Sequence, residues 1–214
     1  MTYWLWKDKP EPDFCSHAIG KFGEGYDRET MRQIAAAEPL IRPWPGLAVE
    51  DCTFQYDNKK RRPADYVIVN EASKFVASDK LRGVLESQNV EAEYFPVEMN
   101  DPDVTVDQAY WFVHILAEVQ ARDVLDHASS EYAEDSIGLG DAKRMVLLES
   151  KLPDKPLFRL RGGPVGTLVH DRLKQAVEAE RITGVYFLHP DEWQEGPAYY
   201  EEFVEVAIKA AGPN

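Results

Sequence analysis

The sequence predicts an α+β fold, in which a mixed sheet carries a duplicated strand-helix-strand unit and few helices pack on it. Short β-branched runs, amphipathic helical stretches and a pattern that occurs twice, 92 residues apart, support this class. With 214 residues, of which 44% are apolar and 11% aromatic, we expect a single domain over residues 1–214. This composition excludes a disordered chain, and the apolar runs are too short for a membrane-spanning helix.

Residues 1–63 are expected to form an irregular, aromatic-rich N-terminal layer, because five prolines within the first sixty residues interrupt any long element. One helix is predicted from Arg28 to Ala37, with Asp27 as its N-cap. Its inner side should carry Met31, Ile34 and Ala35.

The first repeat unit is predicted at residues 64–100. It should open with a buried strand, Tyr66–Val69, and continue with a helix that Ser78 caps. The inner face of this helix would carry Leu81, Val84 and Leu85. The helix should end near Asn89 and lead into a short strand around Pro96, which we expect at a sheet edge because proline cannot donate to the ladder.

The second repeat unit is predicted at residues 165–193. Aligning Val76 with Leu168 gives 22 ungapped pairs, where chance gives roughly one or two identities. The five identical pairs are Asp79/Asp171, Leu81/Leu173, Glu86/Glu178, Tyr94/Tyr186 and Phe95/Phe187.

Between the repeats, residues 101–164 form a central acidic and strand region. Tyr110–Val119 fits a helix or a strand, and its nearly continuous apolar run favours a buried strand with a bend near Arg122. Met145–Leu148 and Leu157–Leu160 are further strand candidates, and residues 199–211 predict a C-terminal helix.

The acidic residues are concentrated in two windows. The chain has 38 acidic and 24 basic residues. Residues 91–135 alone contain twelve acidic residues and a single basic residue, Arg122. A second window, residues 191–205, holds six acids and no base. Such charge opposes nucleic-acid binding. It either keeps the chain soluble or steers association with a basic partner.

Candidate catalytic residues are few. The five histidines lack metal-ligand spacing, there is no nucleophile motif, and no cofactor is expected. A hydrolase using His170, Asp171, His189 and Asp191 is one alternative, if the strand ends of both repeats converge. His170 also fits the helix-start position that Ser78 has in the first copy, and His114 fits a hydrogen-bonded core histidine.

Location follows from two further features. The first thirteen residues show no secretory signal, and Cys15 and Cys52 are too few for a disulfide framework. The expected compartment is the cytoplasm.

Four runs together are similar to a known family. They are DYVIVNEASKFVASDKLRGVLESQNVEAEYFPVEM, AYWFVHILAEVQARDVLDHASSEY, RMVLLESKLPDKPLFRL and TLVHDRLKQAVEAERITGVYF. The chain from about Ala64 to Phe187 thereby resembles immunity-protein family eleven of bacterial polymorphic toxin systems. The resemblance implies an antitoxin that binds a cognate effector and has no catalytic residues.

The most recognisable polar stretch of that family matches residues 123–132 here, inside the first acidic window. The resemblance and the charge together predict partner-binding residues Asp123, Asp126, Ser130, Glu131, Glu134 and Asp135. Asp126 and Ser130 equally fit residues that fix a local turn through backbone hydrogen bonds.

The sequence therefore predicts a non-enzymatic immunity protein for a toxin effector that acts in the cytosol. The toxin should be basic, and neither nucleic acid nor membrane is an expected partner. The alternatives are the hydrolase and an acidic nucleic-acid mimic that acts as an interaction module. The oligomeric state is not indicated.

Overall fold

The computed structural model describes residues 2–9, 11, 13–24, 26–41, 43–52, 61–69, 75–132, 142–162 and 166–193. These residues form thirteen strands and four α-helices. The strands are β1 (Tyr3–Asp8), β2 (Phe14–Phe22), β3 (Leu47–Asp51), β4 (Arg62–Val69), β5 (Phe75–Ser78), β6 (Ala92–Met99), β7 (Tyr110–Ile115), β8 (Glu118–Gln120), β9 (Glu131–Tyr132), β10 (Ala142–Arg144), β11 (Leu157–Arg161), β12 (Thr167–His170) and β13 (Val185–Leu188). The helices are α1 (Arg28–Ala35), α2 (Asp79–Ser87), α3 (Ala121–Val124) and α4 (Asp171–Ala179). The predicted C-terminal helix at residues 199–211 lies outside the described residues.

Eleven of the strands form a closed six-stranded barrel, in the order β2-β3-β6-β7-β5-β4, and a five-stranded mixed sheet, in the order β13-β1-β12-β11-β8. The remaining two, β9 and β10, form a small antiparallel pair. In the five-stranded sheet β8 and β11 are parallel, and the other pairs are antiparallel. The predicted α+β class with mixed strands is confirmed. No helix among the described residues has the length and apolar character needed to cross a bilayer.

The helices α2 and α4 lie between the two sheets. Leu81 and Leu85 of α2, with Leu173 and Val177 of α4, share one buried cluster with side chains of both sheets. A second cluster fills the barrel, and a third lies on the other face of the five-stranded sheet, beneath α3. The predicted inner face of α2 is confirmed, as is its Ser78 cap, whose hydroxyl accepts from the Leu81 N–H.

The N-terminal residues are not an irregular layer, which corrects the sequence prediction. β1 lies inside the five-stranded sheet, between β12 and β13, and β2 and β3 are barrel strands. The prolines lie outside β1, β2 and β3, so they separate strands rather than prevent them. Asp27 caps α1 as expected, but Met31 is half exposed and Ala35 is exposed. The buried side of α1 instead carries Thr30, Gln33 and Ile34.

Two strand predictions also need correction. The strand that contains Pro96 is not an edge strand, because β6 lies between β3 and β7 in the barrel. The ladder tolerates Pro96 because β6 pairs with β3 at Glu98 and Met99, beyond the proline. Met145–Leu148 is not a strand and has one isolated bridge, Leu125 to Leu147. The strand predictions around Tyr110 and Leu157 are confirmed as β7 and β11.

The duplication is larger than the sequence alignment indicated. β5 and α2 match β12 and α4 residue for residue at 92 positions apart, and in both copies the helix is followed by a residue with positive φ, Asn89 and Arg181. In each copy one antiparallel strand lies between the two strands of the unit. β7 has this place in the first copy, whereas β1, from the other end of the chain, has it in the second.

The inserted strands share a Tyr-Trp dipeptide. Trp111 faces Ala77 and Trp4 faces Val169, which are equivalent positions of β5 and β12. The Trp111 indole N–H donates to the Asp79 carboxylate at 2.6 Å, and that of Trp4 donates to Asp171 at 3.0 Å. The same helix faces then place a cation over each indole, Arg82 at 4.1 Å and Lys174 at 4.6 Å from the ring centre. The two copies therefore preserve a polar contact as well as a core.

The ungapped alignment is wrong over the last strand. Phe112 and Leu5 are equivalent, because they face Val76 and Leu168, and their partners on the other side are Phe95 and Leu188. Those partners are 93 positions apart, so the second copy has one extra residue before β13. The Tyr94/Tyr186 and Phe95/Phe187 identities thus do not correspond in space.

The extra residue lies at the turn that contains Gly184. Its φ is 80°, and a Cβ there would lie 2.5 Å from both the Ala64 Cβ and the Tyr66 carbonyl oxygen. The neighbouring Thr183 carbonyl accepts from the Tyr66 N–H at 3.1 Å. Glycine is required because this turn packs directly against β4 of the first copy.

The buried side chain of His114 predicts a pH dependence of the stability of the fold. Its side chain is buried, and its Nε2 hydrogen-bonds the Glu38 carbonyl oxygen at 2.8 Å, which confirms the predicted core histidine. Burial lowers the pKa of His114 below its ordinary value, because the imidazolium form is poorly solvated there. The folded state then binds fewer protons than the unfolded chain as pH falls through the unfolded pKa of about 6.5.

We expect the contribution of neutral His114 to the free energy of unfolding to be complete above about pH 6.5 and to be lost as the pH falls towards the folded pKa of His114. In His114→Gln this part of the pH dependence should disappear. Urea unfolding of both proteins between pH 5 and 8 measures it, and equal slopes below pH 6.5 would contradict the assignment.

Candidate functional site

The first acidic window divides between two parts of the fold. Its earlier carboxylates lie around the barrel strand β6 and the loop before β7, where Glu98, Asp103 and Asp107 are exposed. Asp101, in the same loop, is buried and accepts from the Cys52 N–H at 2.8 Å. The later carboxylates lie on α3 and the turn after it, next to the five-stranded sheet. The carboxylates of the window that the structure describes therefore form two acidic groups and not one face.

Basic residues from outside the window neutralise several of its carboxylates. Lys155 pairs with Glu91, and Arg144 pairs with Glu131 at 3.5 Å. Glu118 contacts both Arg159, at 3.6 Å, and Arg161, at 3.3 Å. The sequence count of twelve acids against one base thus overstates the negative field around these carboxylates, because β10, β11 and the residues before β11 place basic side chains next to them.

Asp126 and Ser130 shape the turn that follows α3. The Asp126 carboxylate accepts from the Ala128 N–H at 3.0 Å and from the Ser129 hydroxyl at 2.8 Å. The hydrogen bond from the Ser129 hydroxyl lowers the pKa of Asp126, because it favours the ionised form. Ser130 is buried, and its hydroxyl oxygen accepts from the Val146 N–H at 3.1 Å. Asp126 thus makes the local contacts that the turn interpretation expected, whereas the Ser130 side chain bonds the backbone of a distant residue, Val146.

Asp123 and Glu131 flank this turn and reach solvent. Each side chain is 66% exposed. The Asp123 carboxylate lies 3.9 Å from the Arg122 guanidinium, and the Glu131 carboxylate lies 3.5 Å from that of Arg144. Both ion pairs are on the surface. Such exposed pairs cost little to break, so both carboxylates are available to a partner. Glu134 and Asp135, predicted as further contacts, lie outside the described residues.

Three of the four residues of the alternative hydrolase, His170, His189 and Asp171, use their side chains in local structure, and Asp191 takes part through its backbone N–H. The strand ends do converge: His170 faces Tyr3 of β1, and the His189 ring packs on the neighbouring Trp4. However, the Nδ1 of His170 accepts from the Arg172 N–H, and that of His189 accepts from the Asp191 N–H, so each histidine caps a helical turn. Asp171 binds the Trp4 indole. Within the described residues no group of three or more potential ligands is placed to hold a metal ion.

A polar cavity of about 430 Å³ opens where the second copy meets the barrel. Its lining includes Phe14, Arg62, Asp65, Lys80, Asp107 and Thr183. Asp65 is buried there and accepts from the Ser78 hydroxyl at 2.6 Å, the Thr183 N–H at 2.9 Å and the Thr183 hydroxyl at 3.0 Å. Because Ser78 belongs to the first copy and Thr183 to the second, this carboxylate joins them.

Sequence reasoning did not find this cavity or the role of Asp65. The residues that meet there come from β2, β4, α2, the loop before β7 and the turn before β13, which are far apart in the chain. The Tyr-Trp dipeptide that occurs in both inserted strands could have indicated the second copy's third strand. It is hard to recognise because one dipeptide follows the first repeat unit and the other lies at the N-terminus, far before the second repeat unit.

Comparison with known protein families places the chain among immunity proteins, a class that neutralises toxins. A family model described as Immunity protein family (Imm11) matches residues 17–190. The protein belongs to this family. The match covers both helices of the duplication, while β1 lies before it. No curated protein matches the sequence.

Proposed function

We propose that this protein neutralises a basic toxin effector in the cytosol by binding it through the surface around the turn after α3. Family membership over residues 17–190 supports the toxin-neutralising part of this proposal. The net charge of -14 supports a basic partner, because opposite charge accelerates encounter.

The proposed contact surface contains Asp123 and Glu131, with Glu134 and Asp135 as further contacts. The observation that carries this choice is the exposure of the first two, at 66% each, on either side of a turn that Asp126 holds. A preorganised turn presents charge without the entropy cost of ordering a loop on binding. Asp126 and Ser130 act in the proposal as positioning residues.

Charge reversal tests the surface. The double variant Asp123→Lys/Glu131→Lys should bind the toxin encoded beside its gene with an association rate about tenfold lower at low salt. The difference should shrink as ionic strength rises, since salt screens exposed charges. Stopped-flow or biosensor kinetics at two salt concentrations measure both effects.

Glu180→Lys serves as the control, because Glu180 is exposed at the end of α4, away from the proposed surface. The control should change the rate much less than the double variant. Because the control reverses one charge and the double variant reverses two, an effect per reversed charge as large as that of the double variant would show that only net charge matters and would contradict the proposed surface. Failure of the wild-type protein to bind that toxin would contradict the function itself.

The cytosolic part of the proposal rests on the low cysteine content expected of a reducing compartment. It predicts protection against the toxin domain when both are produced in the cytosol of a test cell. Protection restricted to toxin that is exported to the periplasm would contradict it.

A further inference from the structure

The cavity of about 430 Å³ beside Asp65 contains basic side chains that the described residues do not neutralise. Arg62 and Lys80 line it, and both side chains are exposed. The Arg62 guanidinium lies 5.7 Å from the centre of the Phe14 ring, and the Lys80 ammonium donates to the Arg181 carbonyl oxygen at 3.4 Å. In the part of the chain that the structure describes, neither cation forms an ion pair with a carboxylate. The cavity therefore offers two positive groups to a ligand.

The buried Asp65 carboxylate does not occupy these cations. One of its oxygens accepts from the Ser78 hydroxyl at 2.6 Å and from the Gln108 amide at 3.5 Å. The other accepts from the Thr183 N–H at 2.9 Å and from the Thr183 hydroxyl at 3.0 Å. These donors stabilise the ionised carboxylate without a cation. Because its acceptor positions are used within the protein, the two basic side chains remain for a group from outside.

The other walls of the cavity supply an acceptor and an aromatic face. Asp107 lines it with an exposed carboxylate that has no hydrogen bond or ion pair to the described residues. Phe14 lines it with a half-buried ring. The volume falls in the range of about 300 to 1,000 Å³ that is usual for small-molecule sites. A complementary ligand thus combines an anionic group, hydroxyl groups and a flat ring.

We propose that this cavity binds a nucleoside monophosphate. Its phosphate would lie between Arg62 and Lys80, because guanidinium and ammonium groups are the usual protein partners of phosphate oxygens. The ribose hydroxyls would donate to Asp107, and the base would pack on the Phe14 ring. The net charge of -14 opposes a long polyanion, so the ligand is a single nucleotide and not a nucleic-acid chain. This binding is independent of the proposed toxin neutralisation.

The test is titration calorimetry of the full chain with AMP, GMP, CMP and UMP in turn, at low salt. We expect saturable binding of at least one of them, with one site per chain. The matching nucleoside, which lacks the phosphate, should bind about tenfold more weakly or less, since it loses the charge-assisted hydrogen bonds. Inorganic phosphate should also bind more weakly than the nucleotide, because it has neither the ribose nor the base.

Two pairs of variants locate the site. Arg62→Gln and Lys80→Gln should each weaken nucleotide binding about tenfold. Arg122→Gln and Lys151→Gln remove the same charges from exposed positions on α3 and on the turn that packs against it. These controls should change the affinity less than about twofold, because surface charges far from a site act weakly. All four side chains are exposed, so the variants should fold, and thermal melting by circular dichroism verifies it.

Phe14→Leu tests the base contact separately. It should weaken nucleotide binding about fivefold or more while leaving the affinity for inorganic phosphate unchanged, because stacking on an aromatic ring is lost and the cations remain. Three results would overturn the proposal. They are no binding of any of the four nucleotides at millimolar concentration, equal losses in the cavity variants and their controls, and binding of inorganic phosphate as tight as that of the nucleotide.

Discussion

Replacing Leu173 by alanine is expected to lower the free energy of unfolding by about 3 kcal/mol, and Leu81→Ala should cost a similar amount. Both leucines are fully buried, at equivalent positions of α4 and α2, in the cluster between barrel and sheet. Each substitution removes apolar contacts and leaves a cavity that both sheets must close. Urea or guanidinium unfolding of the purified variants measures the loss.

Gly83→Ala is a suitable control in the same helix. Gly83 is exposed on α2, and an added Cβ would have no neighbour within 4 Å. Alanine there should raise stability by about 0.5 to 1 kcal/mol, because it reduces backbone freedom in the unfolded chain. A cost below about 1 kcal/mol for one leucine variant, with about 3 for the other, would show that the copies do not share one core.

Removing the Asp65 carboxylate is expected to have a comparable effect for a polar reason. In Asp65→Ala the hydroxyls of Ser78 and Thr183 and the Thr183 N–H lose their buried acceptor. Unpaired buried donors cost about 1 to 3 kcal/mol each, partly relieved by relaxation, so we expect a loss of about 3 kcal/mol in all.

Asp107→Ala tests whether this loss reflects burial. Asp107 lines the same cavity but is exposed, so its removal should change stability by less than about 0.5 kcal/mol. Denaturant unfolding of both variants gives the comparison. If Asp65→Ala cost no more than Asp107→Ala, the carboxylate would not be joining the two copies.

The sequence determined those parts of the fold that depend on neighbouring residues. Ser78 and Asp27 cap their helices as predicted, because a capping side chain needs only the backbone of the next turn. The inner face of α2 followed from helical periodicity, and the β-branched run around Tyr66 gave a strand. The family was also recognisable, since its patterns are local, and the family match confirms it.

Prediction failed where a residue's surroundings come from distant segments. Met31 was expected inside because it is apolar, yet α1 buries Thr30 and Gln33 against the barrel. The strand that contains Pro96 was expected at a sheet edge, because proline has no N–H to donate. In the structure β6 is internal, and its neighbour β3 pairs with it only beyond the proline. Which face of a helix is buried, and whether a strand lies at a sheet edge, depend on the segments of the chain that pack against them.

Only the tertiary structure decided how the two copies are completed and where charge remains. β1 enters the second copy from the opposite end of the chain, an arrangement that no fixed offset reveals. The turn at Gly184 contains one extra residue, so residues of the last strand that are identical in the sequence alignment are not equivalent in space. Arg144, Lys155 and Arg161 approach carboxylates that the sequence shows without basic neighbours. Strand pairing and ion pairing both act between residues near in space, and the chain order does not record that proximity.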